Sequence, residues 1–285
     1  MDIKYYRDSC LNSGKYIEKG SVDLFFCDPP YYITKKNKAD QSDLLTGDRY
    51  DWDTQWKNKE DFYEWTFKWI QLMYSQLKPE GSAYICAAWQ HSGKVQELLE
   101  QAGFIILNRI TWKRDKGRGA GNNWKSMHED IWFVSKTRHY TFNIEDVKIE
   151  KPVVAPYRNI DGTPKDWFIT PKGIKLRMTY PGNLWTEYTV PFWSMKEVRS
   201  YAKTKRTPDN TLTKHNAQKP KELVRRCLMA SSNPGDLVAD YFVGAGTTAI
   251  VAAELGRRVV ALDINKLCIN MLEERIKNEL TIDKN

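Results

Sequence analysis

Phe25-Phe26-Cys27-Asp28-Pro29-Pro30-Tyr31-Tyr32 is the stretch from which the fold of this chain can be read. Val22, Leu24, Phe25 and Phe26 form a short apolar, aromatic-rich run, the pattern of a strand covered on both faces. Pro29 and Pro30 lack an N–H and hold φ, so a central strand cannot run through them. The strand is therefore expected to stop at Asp28, leaving a carboxylate, backbone carbonyls and the Tyr31 phenol on stiff backbone. Such an end can clamp a flat ring that bears an amino group. A proline-stiffened strand end without chemistry has the same local sequence, and the rest of the chain decides between the two.

Upstream, Ile3 to Tyr6 reads as a short strand and Leu11 to Lys19 as a connector weakened by Gly14. Downstream, Thr34 to Lys59 is long, polar and charged, a composition that suits a flap over a site. Helical spacing follows from Asp61 to Leu77, and Pro79-Glu80-Gly81 breaks it. A strand is expected over Ser82 to Ala87, a helix over Val95 to Gln101 closed by Gly103, and a strand over Phe104 to Trp112. His128 to Val134 suits an antiparallel partner for that last strand. This order defines an α/β sheet with an antiparallel edge. From Arg138 to Leu212 prolines punctuate short β-like pieces, and aromatic residues alternate with basic ones. That irregular insertion suits nucleic-acid contact, or packing on its own aromatic side chains.

Regular order returns at Pro220, which opens a helix carrying Leu223, Val224, Cys227 and Leu228 on one face. Leu237 to Asp240 is a strand that ends in Tyr241-Phe242-Val243-Gly244-Ala245-Gly246-Thr247-Thr248. A helix, the strand Arg258 to Leu262 and Asp263 come next, then a final amphipathic helix from Lys266 to Leu280. Strand, Gly-x-Gly turn, helix, strand and acid outline a nucleotide-cofactor site, in which the acid can accept both ribose hydroxyls. The third glycine of the dinucleotide fingerprint is missing, which lowers the standing of NAD. No Gly-Lys-Ser/Thr is present, so a nucleotide triphosphatase loop is excluded.

The chain has 285 residues, 41% hydrophobic and 13% aromatic, enough for one large domain or one domain with an insertion. No apolar run approaches the ~20 residues that span a bilayer, and the start has no secretory apolar region. Five scattered cysteines without Cys-x-x-Cys spacing suit reduced cytosolic thiols. Four histidines without ligand spacing give no expectation of a structural metal. The net charge of +8 is weak evidence by itself, but it is unevenly spread. Lys35, Lys36, Lys113, Arg114, Lys116, Arg118, Lys203, Lys205 and Arg206 lie in basic stretches that can meet phosphates, although a charge run is more often a solvated face.

Three motifs now stand in order: Asp28-Pro29-Pro30-Tyr31, His215-x-Ala217-Gln218-Lys219-Pro220 and Phe242-x-Gly244-x-Gly246-Thr247-Thr248 with Asp263. Together they closely resemble the β group of DNA amino-methyltransferases of restriction–modification systems, with Asn216 where proline is common and Ala245 where serine is common. The resemblance covers nearly the whole chain outside the insertion. It implies a doubly wound, mostly parallel seven-stranded sheet in circularly permuted order. Residues 1–137 would be the catalytic half, 138–212 the target-recognition insertion and 213–285 the cofactor-binding half.

The cofactor it implies is S-adenosyl-L-methionine, and the substrate is a flipped adenine in double-stranded DNA, methylated at N6 in the cytoplasm. N4 of cytosine is the nearest rival, with serine favoured where this chain has Asp28. A non-catalytic nucleic-acid-binding module and an NAD-type oxidoreductase are the rivals of other classes. Asp28, Pro29, Pro30 and Tyr31 would be catalytic. Asp8, Ser9, Cys10, Asp28, His215, Lys219, Phe242, Gly244, Ala245, Gly246, Thr247, Thr248 and Asp263 would meet the cofactor. Asp8 could equally cap the next short helix, and Lys219 could simply precede a helix start. A homodimer and a cognate restriction endonuclease are further partners the resemblance brings with it.

Overall fold

The computed structural model describes residues 2–33, 53, 55–114, 121–154, 156–186, 205–206, 212–213 and 218–280, the two short pairs as backbone alone. In chain order the first strands are β1 (Ile3–Tyr6), β2 (Val22–Cys27) and β3 (Leu77–Ala87). They are joined by a 3-10 turn at Cys10–Lys15 and by helix α1 (Lys59–Gln76). Helix α2 (Trp89–Gln101) and strands β4 (Ile105–Lys113) and β5 (His128–Ser135) follow. The next stretch holds the short strands β6 (Ile149–Pro152), β7 (Phe168–Ile169), β8 (Lys175–Thr179), β9 (Leu184–Trp185), β10 (Lys205–Arg206) and β11 (Leu212–Thr213). The last third is α3 (Lys221–Ser231), β12 (Leu237–Asp240), α4 (Thr247–Glu254), β13 (Arg258–Leu262) and α5 (Lys266–Glu279).

The main sheet runs β1-β13-β12-β2-β3-β5-β4-β9. The seven expected strands are all in it, and an eighth, β9, two residues long, pairs parallel with β4. β5 pairs antiparallel with both β3 and β4, so those two are parallel to each other. Strand periodicity then sorts the side chains. On β2, Phe25 and Cys27 pack with α1, α2 and the 3-10 turn, while Leu24 and Phe26 pack with α3 and α4. Both faces are covered, which is why β2 reads as a continuous apolar run.

Two boundaries differ from the sequence reading. β3 starts at Leu77, directly after α1, but its ladder on β2 jumps from Val22↔Leu77 to Leu24↔Ser82. Lys78 to Gly81 bulge out between those pairs, where the missing N–H of Pro79 costs nothing. α2 begins at Trp89 with no side-chain cap. Its first turn is held from outside instead: His91 is buried beside Tyr63, and Trp132 Nε1 donates to Ser92 Oγ at 3.1 Å. Tertiary packing overrides the weak propensity around Gly93.

Candidate active site

The order of the sheet puts the two chemical motifs side by side. β12 and β2 are parallel neighbours in register Val238↔Leu24 and Ala239↔Phe25, so the glycine loop and Asp28 leave the sheet at the same rim. On the far side of β12 the chain continues to β13 and β1, whereas β2 continues to β3. This is the topological switch point, where open α/β sheets bind ligands.

At the end of β2 the Tyr31 hydroxyl donates to Asp28 Oδ1 at 2.5 Å. Lys219 Nζ donates to Asp28 Oδ2 at 2.6 Å and to the Tyr31 hydroxyl oxygen at 3.2 Å. Lys219 also pairs with Glu129 Oε2 at 3.2 Å, and Arg114 Nη1 pairs with Glu129 Oε1 at 2.8 Å. Acid and base thus alternate in a chain from Asp28 through Lys219 and Glu129 to Arg114. Glu129 is the second residue of β5, and only the antiparallel sense of β5 brings its start to the rim where the parallel strands end.

Burial pushes the Asp28 carboxyl above the usual carboxylate range; Lys219 opposes the rise and Glu129 adds to it. Burial works against the Glu129 charge too, but Lys219 and Arg114 outweigh it and hold Glu129 below its ordinary value. Burial also disfavours the Lys219 ammonium, and Asp28 and Glu129 reverse this and raise it. The Tyr31 phenol is pushed well up by burial and by the neighbouring Asp28.

The turn after Asp28 is fastened by a residue that sequence reasoning left inside the polar flap. Asp53 Oδ1 accepts the N–H of Tyr31 at 2.8 Å and of Tyr32 at 2.5 Å, and Oδ2 accepts that of Ile33 at 3.0 Å. Asp53 is 1% exposed. Tyr32, φ 53°, is the one non-glycine residue held in the left-handed region among the described residues, and its ring stacks on Phe62 at 5.4 Å. An acid inside a polar segment carries no sequence signal for this clasp.

The glycine loop is shaped from behind. Gly246 has φ 79° and precedes α4, whose first N–H groups meet no capping side chain. Such a helix start suits an anion or a close polar ligand. Asp263 Oδ2 accepts the Gly244 N–H at 2.9 Å, so acid and loop form one cradle. Arg275, fully buried on α5, donates to the Ala245 carbonyl at 2.8 Å and to Thr247 Oγ1 at 3.2 Å. Asp240 donates no chemistry in the sequence reading. Burial raises its carboxyl to about 7, and Thr248 and the Phe242 N–H bond to it. Thr247 and Thr248 therefore face protein partners. The half-buried Phe242 ring packs on Trp65 and Trp69.

Asp8 to Cys10 lie past β1, whose end is paired with that of β13. The Asp8 carboxylate already accepts from Asn12, Lys15, Tyr16 and the Ser9 N–H, while Ser9 caps the 3-10 turn and Cys10 is buried. Lys113 ends β4 at the same rim as Asp28, Arg114 follows it, and both are exposed. Lys205 and Arg206 pair with Thr213 and Leu212 in a two-stranded ladder. Lys35, Lys36, Lys116, Arg118, Lys203, His215 and most of the expected flap lie outside the described residues. Among the described residues no group of His, Cys, Asp or Glu side chains could hold a metal ion, and no helix is long and apolar enough to cross a membrane.

The crevice thus sets a buried acid at the end of one strand beside a glycine–acid cradle on the next, at the switch point of a doubly wound sheet. The N6_N4_Mtase family, described as DNA methylase, matches residues 22–274, and the chain belongs to that family. It is 31% identical over 286 residues to the Type II methyltransferase M1.MboII of Moraxella bovis, spanning 98% of each chain. It is 31% identical over 259 residues to the DNA adenine methyltransferase YhdJ of Escherichia coli (strain K12), covering 90% of this chain and 76% of that one. The crystal structure of an M1.HpyAVI–SAM complex shares the fold at TM-score 0.55 and 19% identity, covering 96% of this chain and 99% of that one. The family match leaves no support for the NAD-type reading.

Proposed function

We propose that this chain methylates N6 of an adenine flipped out of double-stranded DNA, using S-adenosyl-L-methionine. The observation that carries the reading is the pairing of β12 with β2, which sets the Gly244–Gly246 loop beside Asp28. The donor set fits the cofactor: Asp263 for ribose hydroxyls, the glycine loop and α4 start for the methionine side, and Asp8 to Cys10 near the adenine. When bound, it supplies an electrophilic sulfonium methyl.

The residues of the chain do the positioning. The N6 lone pair of adenine is delocalised into its ring, so the amine is a weak nucleophile. Hydrogen bonds from its two N–H groups to the Asp28 carboxylate and the Pro29 carbonyl localise that pair and aim it. Pro30 keeps the turn stiff, and Tyr31 stacks on the extruded base. Cys27 ends a buried strand, and no covalent enzyme intermediate is needed. Lys113, Arg114, Lys205 and Arg206 are the phosphate contacts within the described residues, and residues 138–212 read the target. The name of YhdJ supports adenine as the base. A homodimer and a cognate endonuclease are compatible with this role, and light scattering and co-purification test them.

Plasmid DNA incubated with the protein and S-adenosylmethionine, then analysed as nucleosides by mass, is expected to contain N6-methyladenine. N4-methylcytosine in its place overturns the choice of base. Asp28→Ala is expected to abolish transfer and leave cofactor binding detectable; full activity removes Asp28 from the mechanism.

A further inference from the structure

An amine-accepting carboxylate must be ionised, because a protonated carboxyl offers an O–H that competes with the amine. The surroundings of Asp28 work against its charge. It is partly buried at the end of an apolar strand and lies beside Glu129, both of which push its carboxyl up, and its own charge in turn helps to raise Asp240 and the neutral thiols of Cys27 and Cys86. The ammonium of Lys219 meets this cluster from another part of the chain. Its side chain is 7% exposed and reaches Asp28 Oδ2 at 2.6 Å. It is held by Glu129 and the Tyr31 hydroxyl, each at 3.2 Å. The ring centres of Tyr31 and Trp112 lie 5.4 and 5.9 Å away. Three oxygen partners and two aromatic faces replace the water that a buried ammonium loses. The mount is rigid as well, since Pro220, φ −59°, fixes the chain as it enters α3.

We propose that Lys219 is a positioning residue for methyl transfer: caged by Glu129, Tyr31 and Trp112, it holds the Asp28 carboxylate ionised and fixed in orientation. This rests on the reading of Asp28 as the acceptor of the target amine. Arg114 faces the cage only through Glu129, so the charge nearest Asp28 is that of Lys219.

The test is the single-turnover rate of methyl transfer against pH in Lys219→Met and Lys219→Arg, at saturating S-adenosylmethionine and DNA, with thermal melting as the check of folding and calorimetry to read cofactor binding. Activity follows the ionised fraction of Asp28, so its acid limb lies at the Asp28 pKa. Removing the adjacent cation raises that pKa, by about 1–3 units for a pair this close. In Lys219→Met the limb is expected to move up by that amount, with a loss of about 10-fold or more at pH values below both limbs that is regained as pH rises past the new one. Lys219→Arg is expected to return the limb towards the wild-type position. Should Lys219→Met fail to bind cofactor, Lys219→Gln keeps an N–H donor in the cage and is expected to share the shift. An unmoved limb overturns the proposal, whether the rate is unchanged, faster or lower at every pH; a faster rate would mean that Lys219 only fills the empty clamp. Asp28→Asn separates the two readings: it is expected to be slow with no acid limb, and wild-type rates there would sink the role of Asp28 itself.

Discussion

Replacing Asp53 by alanine removes one carboxylate from three consecutive backbone N–H groups, those of Tyr31, Tyr32 and Ile33. A hydrogen bond to a charged group contributes about 1.5–3 kcal/mol. A rigid turn would therefore lose about 4.5–9 kcal/mol, taking that range three times. The turn is not rigid once released. Tyr32 leaves the left-handed region, recovering about 1–2 kcal/mol, and the freed N–H groups find water. A net loss of about 2–4 kcal/mol of stability is expected, a size typical of a broken buried network. The larger effect falls on the chemistry, because the released turn carries Tyr31, whose hydroxyl holds Asp28. A displacement of ~1 Å at such a site costs about 100-fold in rate. Asp53→Asn keeps the oxygen that serves Tyr31 and Tyr32 and loses the bond to Ile33, so it should fall between wild type and alanine. Single-turnover transfer, thermal melting and cofactor calorimetry together read this. Wild-type transfer in Asp53→Ala refutes the reasoning, as does an asparagine variant slower than the alanine one.

Gly246→Ala is expected to weaken cofactor binding at least tenfold by calorimetry, a change of about 1.4 kcal/mol. A Cβ on that left-handed backbone would lie 2.7 Å from Leu272 Cδ1 and 3.4 Å from its Cα, and unchanged affinity would unseat the loop from cofactor binding. Burial holds the His91 imidazole below its ordinary value, so the folded protein favours the neutral ring. Stability should be unaffected by this group above about pH 6.5 and fall as pH drops below it. His91→Phe should flatten melting temperature between pH 7 and pH 5, and an unchanged slope removes His91 as its source. Arg114→Gln should lower DNA affinity and reduce the slope of log K against log salt by about 1. A slope equal to wild type means that Arg114 meets no phosphate.

Much of this site was legible because its signals are local. Two prolines after Asp28 stop a strand wherever the strand lies, and glycines at 244 and 246 followed by an apolar helix mark a close-approach turn. The alternation of Leu24 and Phe26 with Phe25 and Cys27 between the two faces is less legible, since a strand covered on both faces shows an unbroken apolar run. Boundaries were missed where distant packing sets them, as at Trp89, where α2 starts because His91 and Ser92 are held by Tyr63 and Trp132.

By itself, then, the sequence determined the strand ending on Asp28-Pro29-Pro30-Tyr31, the glycine loop with Asp263, and the order of the two, since each depends on neighbours within a few residues. The tertiary structure decided what surrounds Asp28. Lys219 reaches it across 191 residues of chain, Glu129 arrives because β5 runs antiparallel, and Asp53 folds back from a polar stretch to grip three N–H groups. A charged side chain in a sequence has no preferred partner; only the sheet order and strand sense say which charges are brought out of water together, where their interactions are stronger than in solvent.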